Sequence, residues 1–187
     1  VLENHDVTRL PTRYGGGAAG RRRALAAALL LLGLPGAAFV YAGQELALEE
    51  VELADELRQD PIFFRTAGER LGRDGCRVPV PWNDEPPTYG FTTGEPWLPM
   101  PAAWAETTAE RDETRAFYGR ALELRRAFDD APFAWRESPE GSLVFDRGDV
   151  VCVVNVDAPT LALPEGEVLL STGTGPDSAA WIRAPRL

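Results

Sequence analysis

The sequence predicts an α/β unit followed by a small all-β domain. Residues 1–45 show the order strand, helix, strand, which is typical of a parallel βαβ unit. Residues 109–128 form the clearest amphipathic helix, and short apolar runs separated by Gly and Pro follow it. We therefore divide the 187 residues into an α/β part over residues 1–128 and a β domain over residues 129–187.

The first unit consists of two apolar strands joined by a helix. The apolar start of the chain leads into Asn-His-Asp at 4–6, and a second apolar run at 37–42 leads into Gln-Glu at 44–45. Between them, residues 20–32 place leucines at helical spacing before a Gly-Leu-Pro sequence that stops the helix. Because functional groups of α/β proteins lie beyond the carboxyl ends of parallel strands, both polar clusters are candidates for a site.

Residues 21–32 also resemble a targeting signal, because three arginines precede an Ala- and Leu-rich run. The run is too short to span a bilayer and begins after a polar motif. We therefore interpret it as a buried helix of a globular fold.

The middle of the chain has little periodicity. Residues 46–60 are acidic and predict a solvated helix or loop, while residues 61–108 are rich in Pro, Gly and Trp. A segment of that length without regular structure is usually functional or disordered. Its content of aromatic and other apolar residues favours an ordered lid.

The helix over residues 109–128 carries its apolar side chains on one face, formed by Phe117, Ala121, Leu124 and Phe128. Glutamate and arginine occupy the other faces, which is typical of a helix packed against a core.

The β domain begins with a predicted hairpin. Residues 142–146 and 150–155 are apolar runs on either side of a Gly-containing turn. Residues 161–163 and 168–170 predict two further short strands.

Composition excludes several classes of partner. With 29 acidic and 19 basic residues the net charge is −10, which repels nucleic acid and anionic membranes, so neither is expected as a partner. Cys76 and Cys152 match no metal spacing and predict two free thiols in a reducing compartment, which favours the cytoplasm. No cofactor and no metal ion are indicated.

Three stretches resemble the α-amylase clan of glycoside hydrolases, family 13, and in particular its α-glucosidase and oligo-1,6-glucosidase branch. Residues 1–9 (VLENHDVTR) are similar to the strand-seven motif ending in Asn-His-Asp. Residues 36–46 (GAAFVYAGQEL) resemble the strand-eight segment, and residues 72–82 (GRDGCRVPVPW) the family's Arg-Asp-x-x-Arg-x-Pro motif. The order and spacing of the three motifs match, and the likeness covers essentially the whole chain.

The resemblance implies that the chain is the C-terminal portion of a (β/α)8 TIM barrel, with strands seven and eight and their helices, followed by a small antiparallel β domain. A whole barrel takes about 250 residues, so we expect an N-terminal barrel half of the same protein as a missing partner. In the family the nucleophilic Asp and the acid/base Glu come from strands four and five. We therefore expect this chain alone to be inactive.

By matching position, Asp6 resembles the invariant carboxylate that binds ring hydroxyls and stabilises the transition state, and His5 resembles its hydroxyl-donating neighbour. Arg77 resembles the arginine that closes the far end of the sugar pocket, paired in relatives with an Asp from an early loop. Three purely structural alternatives stay open: Asp6 as a helix cap, His5 as an ordinary surface histidine, and Arg77 as an arginine whose salt bridge holds a loop in place.

Other residues are expected to be structural. Spacing alone would pair Glu45 with Asp6 as two catalytic carboxylates, but the resemblance makes Glu45 mainly structural. For Trp82, Trp97 and Trp104, packing in the loop core is favoured over stacking on sugar.

The resemblance implies that the full-length protein is an α-glucosidase whose substrate is an oligosaccharide or disaccharide. Such an enzyme removes terminal α-linked glucose from short, maltose-like chains. Val7 and Val80 depart from residues common in relatives, which leaves the choice between α-1,4 and α-1,6 bonds open. Alternatives are a sister transglucosylase or isomerase of the sucrose or trehalose type, and a non-catalytic relative that serves as a scaffold for a transporter.

Overall fold

The computed structural model describes residues 1–159 and 162–185, which contain four α-helices and one five-stranded sheet. The helices are α1 (Leu10–Arg13), α2 (Gly17–Gly33), α3 (Pro61–Arg65) and α4 (Thr108–Arg126). The strands are β1 (Phe133–Arg136), β2 (Ser142–Arg147), β3 (Val150–Asn155), β4 (Glu167–Ser171) and β5 (Ser178–Arg183). Short 3-10 turns occur at Gln44–Leu46, Asp55–Leu57, Asp74–Arg77 and Ala102–Thr107.

The two long helices are confirmed. Helix α2 covers the predicted residues 20–32, and its first free N–H, that of Gly17, donates to the Glu49 carboxylate at 2.5 Å. A carboxylate at this end is favourable because it satisfies an unpaired donor and complements the helix dipole. Helix α4 covers the predicted amphipathic segment up to Arg126, two residues short of its expected end. Ala121, Leu124 and Phe128 are buried as expected, and Phe117 is partly buried against the same core.

The first predicted unit differs from the sequence expectation in its strands. Within the described residues, neither the start of the chain nor residues 37–42 pair with another strand. Phe39 is 67% exposed, whereas an apolar strand of a parallel sheet is ordinarily buried. Parallel strands are stable within larger sheets covered on both faces, and the described residues supply no neighbouring strand for this pair.

The predicted hairpin is confirmed as the antiparallel pair β2–β3, in which Phe145 lies opposite Cys152. The sheet order is β1-β2-β3-β5-β4, with every neighbouring pair antiparallel. The strand expected at 168–170 lies within β4. Of the strand expected at 161–163, Leu161 lies outside the described residues, and residues 162–163 belong to no strand.

One face of the sheet packs on α2 and α4 and forms the main core. Trp181 of β5 is 1% exposed, meets Phe128 edge-on at 5.1 Å, and donates its indole N–H to the carbonyl oxygen of Leu29 at 3.2 Å. Truncating such a buried Trp to Ala costs about 3–5 kcal/mol. Because this core joins both predicted domains, the boundary after residue 128 stays a prediction.

Buried Arg147 ties the helices to the sheet. Its guanidinium donates to the carbonyl oxygen of Gly33 at the end of α2, at 2.7 Å, and to that of Phe128 at 2.9 Å. The carbonyl group of Gly33 lies in the last turn of α2, where it has no partner within the helix, and the arginine satisfies it in the core.

The long middle segment is ordered around a second apolar cluster formed by Leu53, Val78, Tyr89, Leu98 and Met100. The hydroxyl of Tyr89 donates to the carbonyl oxygens of Pro101 and Ala102 at 2.9 and 3.0 Å. This cluster fixes the 3-10 turn that carries Arg77, since Val78 directly follows that turn.

Cys76 and Cys152 are both buried free thiols, as predicted. Burial raises the pKa of Cys76 to about 11 and that of Cys152 to about 12, so both remain protonated at neutral pH.

Across the described ranges, no helix combines the length and the apolar character needed to cross a membrane.

Candidate functional site around Asp6

The structure brings the three predicted site residues together. Arg77 donates through Nη2 to Oδ1 of Asp6 at 2.9 Å and through Nε to the carbonyl oxygen of His5 at 2.8 Å. The Nε2 atom of His5 lies 3.4 Å from Oδ2 of Asp6. Residues distant in sequence thus share one polar site at the surface.

Asp6 does not cap a helix. Helix α1 begins at Leu10 with Arg9 at its N-cap position, and Asp6 lies three residues earlier. The backbone N–H of Asp6 donates to Oδ1 of Asn4 at 2.8 Å, which closes a tight turn after the start of the chain. This turn presents the half-exposed Asp6 carboxylate and the exposed His5 imidazole on the same side.

A second guanidinium reaches Asp6. Arg73 donates through Nη1 to Oδ1 of Asp6 at 2.9 Å, the same oxygen that Arg77 contacts. The hydrogen bond from Arg73 holds the pKa of Asp6 below its usual range, and His5 and Arg77 act in the same direction. The carboxylate is therefore ionised at neutral pH.

Arg73 is in turn paired with buried Asp60, at 2.5 Å between Nε and Oδ2. That pairing holds the pKa of Asp60 well below its usual range. Sequence reasoning missed both residues as part of the site. Arg73 is the first residue of the Arg-Asp-x-x-Arg motif, which was a signal for it. Asp60 is the last residue of the acidic stretch 46–60, and nothing in that stretch distinguished it.

Buried Arg9 holds the three motif segments together. Its guanidinium donates to the carbonyl oxygens of Ala42 and Cys76, both at 3.0 Å, and lies over the ring of Tyr41 at 5.2 Å. Glu3 lies 3.9 Å away and is also buried. Burial is the main cause that raises the pKa of Glu3 above its ordinary value, against the opposing effects of the Leu10 N–H and of Arg9.

Gly43 is required for this arrangement. Its φ is +92°, and a Cβ there would lie 2.7 Å from Nη1 of Arg9. The adjacent Glu45 turns back on the same segment, because its carboxylate accepts the N–H of Gly43 at 2.8 Å. Glu45 is thus engaged in its own turn.

The three tryptophans do not share one environment. Trp104 packs against Tyr89, with ring centroids 6.0 Å apart, as expected for loop-core packing. Trp82 and Trp97 are 59% and 60% exposed, so the expected packing is wrong for them. The physical reason at Trp97 is a polar anchor: its indole N–H donates to the carbonyl oxygen of Arg77 at 3.1 Å, and its ring meets the edge of Phe91.

The site offers one exposed, ionised carboxylate, two guanidinium groups and one imidazole. Such a set suits the binding of neighbouring hydroxyl groups on a polar ligand. In the part of the chain that the structure describes, no cluster of three or more His, Cys, Asp or Glu side chains is arranged to hold a metal ion.

Comparison with known proteins agrees with the motifs. A family model described as the alpha amylase catalytic domain matches residues 1–130. The probable alpha-glucosidase of Rhizobium meliloti (strain 1021) is 38% identical over 132 residues, which cover 67% of this chain and 24% of that protein. The oligo-1,6-glucosidase of Heyndrickxia coagulans is 31% identical over 152 residues, covering 68% of this chain and 27% of that protein.

The chain therefore spans about a quarter of the length of the curated relatives it matches. Among solved structures, the crystal structure of an alpha-glucosyl transfer enzyme superposes with a TM-score of 0.68 at 32% identity. That superposition covers 97% of this chain and 39% of the other.

Proposed function

Because the chain belongs to the alpha-amylase family of glycoside hydrolases, we propose that it is part of a retaining α-glucosidase. The fold corresponds to the C-terminal part of a TIM-barrel enzyme with its small antiparallel β domain. In this proposal the whole protein removes terminal α-linked glucose from short, maltose-like oligosaccharides. It acts in the cytoplasm, where free thiols such as Cys76 and Cys152 persist.

The observation that carries the proposal is the ionised carboxylate of Asp6 beside exposed His5. Glycoside hydrolysis passes through an oxocarbenium-like state, which is stabilised by negative charge and by strong contacts to ring hydroxyls. Asp6 provides that charge and accepts hydrogen bonds from hydroxyls of the sugar. His5 binds a hydroxyl of the same ring.

Arg77 closes one end of the sugar pocket in this proposal. A guanidinium suits that position because its planar fork contacts a carboxylate and a second acceptor at once, as it does with Asp6 and the His5 carbonyl oxygen. A pocket closed at one end accepts chain termini, which accounts for the release of single glucose units.

The covalent chemistry needs two further carboxylates. One attacks the anomeric carbon, and the other protonates the leaving oxygen and later activates water. Among the carboxylates near the site, Asp60 is buried against Arg73 and Glu45 turns back to accept the N–H of Gly43, so we assign neither to these roles. We assign both roles to the rest of the barrel, which is then the partner of this chain.

Transglucosylation is the second candidate, and one observation favours it: the alpha-glucosyl transfer enzyme is 32% identical over nearly the whole chain. Hydrolysis and transfer share the glycosyl-enzyme intermediate and differ in whether water or a sugar hydroxyl attacks it. Product analysis with maltose separates the two outcomes.

The test uses the longer protein encoded by the reading frame that contains this sequence. Asp6→Asn should lower the turnover of maltose and of p-nitrophenyl α-glucoside by at least about a hundredfold, because charge stabilisation of the transition state is lost. Asp112→Asn, on the surface of α4, is the matched control and should keep turnover. Isomaltose assayed in parallel reports the linkage preference.

Two results would contradict the proposal. Near-normal turnover by the folded Asp6→Asn protein would remove Asp6 from the site. Turnover by the isolated 187-residue chain would show that the nucleophile and the acid/base lie within it.

A further inference from the structure

We propose that Arg73, held by the buried carboxylate of Asp60, is a positioning residue for Asp6. It fixes one carboxylate oxygen of Asp6 and leaves the other oxygen for the ligand. The nature of that ligand, sugar hydroxyls, rests on the proposed function, whereas the positioning itself follows from the geometry.

The two oxygens of Asp6 have different surroundings. Oδ1 accepts from Arg73 and from Arg77, each at 2.9 Å. Oδ2 lies 3.4 Å from Nε2 of His5, and the Asp6 side chain is half-exposed. One oxygen is therefore occupied by protein donors, while the other faces the side where His5 is exposed.

Arg73 is itself held in place from several directions. Its Nε donates to Oδ2 of Asp60 at 2.5 Å, its Nη2 to Oδ1 at 3.2 Å, and its backbone N–H to Oδ2 at 3.0 Å. The Asp60 side chain is only 1% exposed and the Arg73 side chain 41%, so the carboxylate side of this pairing is shielded from water while Arg73 extends toward the surface. A two-point contact between a guanidinium and a carboxylate fixes the plane of the guanidinium as well as its position.

The residues on both sides of Arg73 support the same contact. Gly72 has a φ of +83°, and a Cβ there would lie 2.7 Å from the Cβ of Asp60. Buried Asp74 accepts the backbone N–H groups of Gln59 and Asp60, at 2.8 and 2.9 Å. Gly72 thus makes room for Asp60, and Asp74 fixes the main chain on which Asp60 lies.

A brace between two loops would need only the pair of Arg73 with Asp60. The third donor of Arg73 instead reaches Asp6, 67 positions earlier in the sequence. The negative charge of Asp60 also offsets the charge of Arg73. This limits the positive potential beside Asp6, where a cationic transition state would otherwise be disfavoured.

The first test measures Asp6 directly in the 187-residue chain by carboxyl ¹³C NMR during a pH titration. In Arg73→Gln the titration of Asp6 should move to higher pH, while the neighbouring charges of His5 and Arg77 remain. Arg115→Gln, which breaks the surface pair with Asp112, is the matched control and should leave Asp6 unchanged. If Asp6 titrates at the same pH in folded Arg73→Gln as in the chain without substitutions, the proposal is overturned.

The second test asks whether Asp60 holds Arg73, and it also covers a failure of Arg73→Gln to fold. Asp60→Asn keeps an oxygen acceptor for the Ile62 N–H, so the start of α3 is retained. The Nε–H of Arg73 should exchange slowly with solvent in the unchanged chain and rapidly in Asp60→Asn. Protection that persists in Asp60→Asn would contradict the role of Asp60.

Kinetics of the longer protein separate positioning from general support of the fold. Arg73→Gln should lower kcat by up to about a hundredfold and move the acidic limb of the pH profile to higher pH, with a smaller change in KM. An unchanged pH profile would contradict positioning. A shifted Asp6 titration together with no glycosidase activity in the unchanged longer protein would support the positioning and contradict the proposed function.

Discussion

Arg77 reaches Asp6 across 71 positions of sequence, and its Nη2 lies 2.9 Å from Oδ1 of that carboxylate. Its Nε meanwhile contacts the main chain of the preceding residue, at the carbonyl oxygen of His5. The arginine therefore holds both the side chain and the backbone of the turn that carries the site. The alternative of a loop-pinning role is not separate from the proposed role, because the segment that Arg77 pins is the site itself.

Replacing Arg77 by Lys tests whether the site needs the paired N–H donors of the planar guanidinium. An ammonium group lacks the planar donor pair that contacts Asp6 and the His5 carbonyl oxygen together. In the longer protein, Arg77→Lys should reduce kcat/KM for maltose by about tenfold to a hundredfold. Arg115→Lys on the surface of α4 should leave kcat/KM unchanged. Equal values for the two variants would mean that charge alone, without the fork, suffices.

Gly43 and Gly36 offer a matched pair for the scaffold. Both have φ near +90°, but a Cβ at Gly36 would meet nothing within 4 Å, whereas at Gly43 it would meet Arg9. Gly36→Ala should lower the unfolding free energy by about 1–2 kcal/mol through backbone strain alone. Gly43→Ala should cost a further 1–3 kcal/mol, roughly, from the steric conflict.

Urea unfolding of the two variants measures this difference. Equal losses would show that Arg9 moves aside freely and does not hold the motif segments. If Arg9 holds the motif segments together, Gly43→Ala must lose more unfolding free energy than Gly36→Ala.

Acid stability should depend on Asp60. In the folded chain Arg73 keeps the pKa of Asp60 below its ordinary value of 3.8, so folding favours the ionised form. The resulting stabilisation is fully present above that ordinary value, and it is lost as the pH falls below it toward the lower folded-state pKa. Asp60→Asn should therefore destabilise the chain at neutral pH and flatten the decline of stability on acidification.

Unfolding in urea at neutral pH and at about pH 3 measures this prediction. Asp112→Asn, an exposed carboxylate on α4, should keep the acid dependence of the unchanged chain. The same acid dependence in Asp60→Asn as in the unchanged chain would show that Asp60 is not the group responsible.

The predictions that the structure confirms rest on local patterns of apolar, Gly and Pro residues. Helices α2 and α4 follow from apolar spacing and helix-stop residues, and the β2–β3 hairpin follows from two apolar runs around a Gly turn. Strands β1 and β5 carry weaker patterns and were not anticipated. The exposure of Trp97 was also not predictable, because it depends on an indole contact with the backbone of Arg77.

The sequence by itself determined the family, and it predicted His5, Asp6 and Arg77 as site residues, because these signals lie in short contiguous stretches. Only the tertiary structure decided that Arg73 and Arg77 share one oxygen of Asp6, and that Asp60 is buried behind Arg73. The physical reason is that charge pairing depends on distance in space and on burial. Neither the distance nor the burial can be read from the sequence alone, because the loop must first fold around its own apolar cluster.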